Sequence, residues 1–513
     1  MRTSRIIGTS IATLIGISGV IAYVVLPSWQ QRAAHNLNAI HKAIDEMHPA
    51  VLEPDATAFH EWHTKGYEQA KALLPLVNSP ADEYALLQFY FAGYQDPHIN
   101  FMGPHQYPLQ RWYPNRDRWA GWVLKYSNSM YKVAYSLPQD NMPPVGAKLL
   151  RCDGQQIDTL LQSRYAPFAD LRWNVPIAHD KAAELLTIDS EQMGNSMLNR
   201  PTVTQCEFLN KDDTTKTYPF HWQPLADSQL QKIQTLLRAS YQLPSIREFA
   251  PNRYWIDVRD FMLQTPQAFA AHQKLLKDIN ALGNYGLVVL DARANGGGNA
   301  MYGLDMLKAL LKDNYTLLLK DLQNRSNGAD SLYRVSQYTL WSEEAQLETL
   351  RSAQGNDALM VKYLSSFIDK YQHALSAGKT TAHSSELTPN VSLFPELNSD
   401  TKLPSTWTFN GKIILVTEEH CVSSCLDFVE FVKAIPGVVH VGQTTDADTA
   451  YTTIAGMRET SFKENVFYMV PIVKHLDRRR QNNIPYTPDI AYEGDINDTA
   501  ALEKRILEIA KSH

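Results

Sequence analysis

Two adjacent serines, Ser423 and Ser424, stand between Cys421 and Cys425 in the stretch TEEHCVSSCLDFVEFVKAI, residues 417–435. Apolar residues after the pair recur at helical spacing, so the serines lie where a strand gives way to a helix. Two roles are open for a serine at such a junction. One is an N-cap, with the hydroxyl accepting from a free backbone N–H of the first turn. The other is a nucleophile: the positive end of the helix dipole favours the alkoxide-like charge of attack, and the next N–H can bind the oxyanion that follows.

A second stretch, LVVLDARANGGGNA (residues 287–300), runs a buried-type strand into three glycines ahead of a helix. Glycines there leave backbone N–H groups unshielded, which suits either a tight turn or a cradle for an anion or oxyanion. The spacing is neither G-x-G-x-x-G nor G-K-[ST], so a dinucleotide or P-loop nucleotide site is excluded. A third stretch, YQDPHINF (residues 94–101), places His98 after an Asp-Pro turn. A turn histidine serves structure or, as a neutral imidazole near pH 7, serves as a base for a hydroxyl. No Cys/His spacing resembles a zinc site, and neither metal nor cofactor is expected.

The elements that must position these groups follow from the pattern of the chain. Residues 1–28 carry Arg2 and Arg5 ahead of an uncharged run from Ile6 to Leu26, long enough to cross a bilayer and without a small-x-small cleavage site. This reads as an uncleaved membrane anchor, with the bulk of the chain periplasmic or extracellular. Residues 29–105 form a helical cap that carries His98. Residues 106–225 are rich in short strands and turn dipeptides, and PPVGAKLLRCDGQQIDTLL resembles the strand, D-G turn and helix of a PDZ domain. From 226 to 513 strands alternate with helices (266–282, 300–312, 423–434), which implies crossover connections and a largely parallel sheet in an α/β core. A polar, helix-leaning insertion interrupts that core at 320–405.

With 513 residues the chain supports several cores, and its net charge of −6 with no long basic tract argues against a nucleic-acid partner. The Arg478-Arg479-Arg480 cluster reads as a solvated turn or as an anchor for a substrate carboxylate. Four cysteines suit an oxidising compartment. Cys152 and Cys206 lie on strand-like stretches of one domain and make a reasonable pair, while Cys421 and Cys425 bridge locally or remain buried thiols.

Taken together, VVLDARANGGGN, SCLDF and QDPHINF resemble the strand plus glycine loop, the Ser-x-x-Glu segment and the Asp-Gly-His segment of the S41 peptidases, a family that includes C-terminal processing proteases, the tricorn core protease and the interphotoreceptor retinoid-binding proteins. The order of cap, PDZ-like module and core matches as well. The resemblance implies a ClpP/crotonase-like core and a serine peptidase acting on protein or peptide substrates. It also implies Ser424 as nucleophile, three residues before Asp427, and His98 as base. The oxyanion would then be held by N–H groups of Gly296 or Gly297 and of Cys425. For a carboxylate behind the base it implies Asp489, in a P-D-I segment like the one that closes the family's core, with Asp96 as rival.

The C-terminal processing members use a lysine base about 25 residues beyond the serine, where this chain has Thr449. Lys433 lies too far along the helix to replace it, so a Ser-Lys dyad is disfavoured. His420 is a competing base. The same departures leave room for an inactive, S41-like binding protein for a peptide or apolar ligand. A lipase or esterase is disfavoured by the lack of a G-x-S-x-G elbow.

Overall fold

The computed structural model describes residues 27–103, 117–237, 242–283, 285–325, 330–389, 406–409, 411–461, 464–476 and 478–512. The expected anchor lies outside this set. Among the described residues no helix is long and apolar enough to cross a membrane.

The core is built on a six-stranded sheet in the order Ser245–Ala250, Arg253–Asp257, Leu287–Asp291, Lys412–Thr417, Val439–Gly442, Ile490–Ala491. Only the first pair is antiparallel; every later pair is parallel. The strand LVVLD is buried at all five positions, as expected for a parallel strand covered on both faces. On one face Ile256, Val288, Leu290, Ile413 and Leu415 pack against the helices Pro266–Asn280, Ala300–Leu311 and Ser424–Lys433. The opposite face, with Trp255, Val289, Ile414 and Val441, is closed by Leu502, Ile506 and Ile509 of the C-terminal helix Thr499–Ser512. The helix positions expected at 266–282, 300–312 and 423–434 are thus occupied, with ends shifted by one or two residues.

The N-terminal cap packs the helices Trp29–Met47 and Pro80–Ala92 on a long hairpin, Tyr451–Ser461 with Glu464–His475. The first helix starts at a reciprocal capping box of Ser28 and Gln31, the second at Ser79 with Pro80 in the first turn. Strand Asn100–Gly103, just after His98, pairs antiparallel with the hairpin through Asn100–Met469 and Phe101–Tyr468. The cap is therefore sewn to the core where its histidine emerges.

An antiparallel sheet with the strands Trp122–Ser127, Met130–Ser136, Lys148–Cys152, Gln205–Leu209 and Thr215–Pro219 forms a separate module. Cys152 and Cys206 oppose each other on adjacent strands and are bridged. Arg172 ties the module to the core: its guanidinium donates to Asp170 and to Asp446, the latter at 2.9 Å, all three buried. The insertion contributes the helices Gln337–Gln354 and Leu359–Ser376, which share a small core of their own, and strand Ser331–Arg334 pairs with the long hairpin.

Candidate active site

The site lies at the C-terminal ends of the parallel strands, where helix N-termini and loops converge. Strand Lys412–Thr417 leads into the loop 418–423, and the helix Ser424–Lys433 starts immediately after Ser423. Ser423 has φ 59° and ψ −129° and makes no side-chain cap bond. A non-glycine residue in that conformation costs on the order of 1–3 kcal/mol, strain characteristic of functional turns. The Cys421–Cys425 bridge closes a ring around the strained residue.

His98 comes from the other end of the chain, held by a tight turn: Ile99 N–H donates to Asp96 O at 3.1 Å and His98 N–H to Asp96 Oδ1 at 2.8 Å. Asp and Pro at the first two positions of such a turn are both favoured, so Pro97 supports the bend rather than disturbing it. The imidazole is 4% exposed, and its Nε2 lies 3.0 Å from Ser423 Oγ. The structure thus brings His98 to the first serine of the pair. Ser424 is turned away, its hydroxyl donating to Gly298 O at 2.7 Å, which pins the glycine loop to the start of the helix.

Behind His98 stands Asp96. His98 Nδ1 is 3.4 Å from Asp96 Oδ1, an ion-pair distance rather than an aligned hydrogen bond, and has no other polar partner among the described residues. Asp96 Oδ2 accepts from Thr449 Oγ1 at 2.5 Å. Thr449, at the position where the resemblance would place a lysine base, thus holds a hydroxyl that orients the carboxylate behind the imidazole. Burial disfavours the charged form of both residues. For His98 the Asp96 carboxylate, with Asp448, outweighs burial and raises the imidazole above its ordinary value. For Asp96 the neighbouring His98 and Thr449 outweigh burial and hold the carboxyl below its ordinary range.

Asp489 is not part of this arrangement. It accepts from Lys433 Nζ at 3.2 Å and from His440 N–H at 2.9 Å. Lys433 is at the far end of the helix that Ser424 begins, roughly 14 Å along its axis. His420 is also engaged elsewhere, its Nδ1 2.7 Å from Glu418 Oε2. Arg480 does not await a substrate carboxylate: it is held by Asp427 at 3.0 Å and Asp448 at 3.0 Å.

The glycine loop is fixed from below by Asp291, fully buried, which receives Arg293, Arg259 and Trp255. Asn295 then bridges outward, its Nδ2 donating to Val258 O and its carbonyl accepting from Val422 N–H. Of the expected oxyanion donors, Gly297 N–H is committed to Asn295 Oδ1 at 2.9 Å and Cys425 N–H to Val422 O at 3.1 Å. Gly296 N–H and Ser424 N–H have no intramolecular acceptor among the described residues.

Gly297, at φ 92°, abuts the serine turn: a Cβ there would lie 2.8 Å from Ser423 Cβ and 2.9 Å from Val422 O. Gly297→Ala is accordingly expected to displace the turn and lower turnover of a peptide substrate by about 10²-fold or more, since misplacement near 1 Å costs that much. Near-normal turnover in that variant would show that the loop does not constrain Ser423.

Residues 255–492 match the model of peptidase family S41. The structure is similar to that of mature CPAF complexed with lactacystin, at TM-score 0.58 and 14% identity over 94% of this chain and 99% of that one. It is equally similar to a second structure of mature CPAF, at TM-score 0.58 and 13% identity over 94% and 98%. No curated protein matches by sequence. At such identities the likeness is one of fold. The expected α/β core with cap and β module is that fold, and within it residues 255–492 carry the match to the model of peptidase family S41.

Proposed function

We propose that the protein is a serine peptidase in which Ser423 is the nucleophile, His98 the general base and Asp96 the residue that orients the base. The observation that carries this reading is the 3.0 Å approach of His98 Nε2 to the hydroxyl of the strained Ser423. With the Nδ1 proton facing Asp96, Nε2 is left as an acceptor. Ser423 Oγ attacks a peptide carbonyl carbon while its proton passes to His98 Nε2. The carbonyl electrons move onto oxygen, where the N–H groups of Ser424 and Gly296 receive the charge. His98 then returns the proton to the leaving amine, the C–N bond breaks, and water, deprotonated by the same imidazole, hydrolyses the ester. The two disulfides support work outside the cytoplasm.

Lys433 has no place in this chemistry because its ammonium pairs with Asp489. Lys433→Ala should therefore keep turnover within about twofold. The reading is tested by incubating the full chain with an unstructured protein such as casein and following the appearance of new amino termini. Cleavage that is blocked by a serine-directed organophosphonate supports it. Seating of peptides without any cleavage would indicate an inactive binding protein.

A further inference from the structure

The cap holds a second cluster with chemistry of its own. His41 and Asp45 stand one turn apart on the helix Trp29–Met47, and His63 meets them from Trp62–Gly66, where the neighbouring helix widens into a π turn. Such widened turns are uncommon and recur at functional sites because they re-aim a side chain. One nitrogen of each histidine and one Asp45 oxygen all lie within 4.8 Å of one another. His63 Nε2 is 2.9 Å from Asp45 Oδ1.

The other sides of the two imidazoles are held as metal-binding histidines usually are. His41 Nδ1 is 2.8 Å from Tyr90 OH, His63 Nδ1 is 2.7 Å from Tyr94 OH, and the two hydroxyls are 2.6 Å apart. Partners on Nδ1 fix ring orientation and accept a proton there, which leaves the second ring nitrogen free to offer a lone pair to a cation. The rings stack at 4.1 Å, and Tyr67 stacks on His41 at 4.0 Å. Asp45 remains half-exposed, which gives an ion a path in.

We propose that His41, Asp45 and His63 bind a divalent transition metal ion, with zinc the best match to two imidazoles and one carboxylate. Calcium and magnesium are disfavoured because they require mostly oxygen ligands. Three protein ligands leave a fourth tetrahedral position to water. In the metal-free arrangement the single ring proton of neutral His63 lies on Nε2 toward Asp45; on binding the ring takes the other tautomer, with Nδ1–H donating to Tyr94 OH, and the freed Nε2 lone pair and the carboxylate oxygen bond the ion instead. The ion would join the Trp29–Met47 helix to the segment carrying His63. Through Tyr90 and Tyr94 it would also brace the end of the helix that runs into Asp96 and His98. The site stands apart from the serine chemistry and does not depend on it.

The test strips the full chain with a chelator and titrates it with zinc chloride alone by calorimetry, with a thermal-unfolding measurement in parallel. The wild type is expected to bind one equivalent and to gain in midpoint temperature as free zinc rises. His41→Ala and His63→Ala should each lose this binding and the thermal gain, and Tyr94→Phe should weaken binding about 10-fold or more. His41 is partly exposed, so its alanine variant keeps the test usable if His63→Ala folds poorly. No zinc uptake by the wild type, or uptake unchanged in His41→Ala, would overturn the proposal.

Discussion

Ser423→Ala is expected to lose peptide hydrolysis by on the order of 10⁴- to 10⁶-fold in kcat, while Ser424→Ala retains turnover within about 10-fold. The two hydroxyls are neighbours in sequence with different work. Ser423 Oγ faces His98 Nε2, whereas Ser424 Oγ is spent on Gly298 O. Removing the first deletes the attacking atom. Removing the second costs one hydrogen bond, about 1 kcal/mol, in the anchoring of the glycine loop. The expected split is in kcat, with both variants folded by circular dichroism. The reverse split would make Ser424 the nucleophile.

His98→Ala should fall as far as Ser423→Ala, because base and nucleophile act as one unit and their losses are not additive. The pH profile separates the role of Asp96 from mere packing. His98 must be neutral to accept a proton, so activity is lost as pH falls through its pKa. That pKa is raised by Asp96 and Asp448 against the opposing effect of burial. The acid limb of kcat/KM should therefore lie above the ordinary histidine range near 6.5. Asp96→Asn removes the charge that raises it, so the limb should move to lower pH, with kcat down on the order of 10²- to 10⁴-fold as the imidazole loses its orienting partner. A lowered kcat with an unmoved limb would assign Asp96 to the turn alone. Thr449→Val, which removes the hydroxyl donated to Asp96, should move the limb in the opposite sense, because a less stabilised Asp96 anion holds the imidazolium more strongly.

Much of this arrangement is legible in the amino-acid sequence. The strand-helix rhythm of the core, the glycine loop and the His98 turn follow from local patterns: continuous apolar strands, glycines before a helix, Asp-Pro before histidine. The pairing of Cys152 with Cys206 could be read from their places on two strands of one module, and it is realised across adjacent antiparallel strands.

The choice between two adjacent serines was not legible. It depends on a positive φ at Ser423 and on which side of the helix start each hydroxyl falls, about one residue of register, whereas the resemblance pointed to Ser424, three residues before Asp427. The proposed oxyanion donors carry the same one-residue offset, with Ser424 N–H open among the described residues where Cys425 N–H is bonded. Asp489 was placed by its segment, but its carboxylate turns to Lys433 and His440, toward the far end of the helix Ser424–Lys433. Asp96 was discernible as a rival because it lies two residues before His98. Its connection to Thr449, 353 positions away, could not be read from spacing. Nor could the His41–Asp45–His63 cluster, since its third member comes from a different helix with no ligand motif between.

The most direct measurement of the central claim is the site of covalent capture. The full chain is treated with a fluorophosphonate probe, digested, and the peptide spanning 417–433 is sequenced by tandem mass spectrometry. One adduct is expected, on Ser423, absent from Ser423→Ala and suppressed in His98→Ala. An adduct on Ser424, or labelling of Ser423 that does not depend on His98, would contradict it.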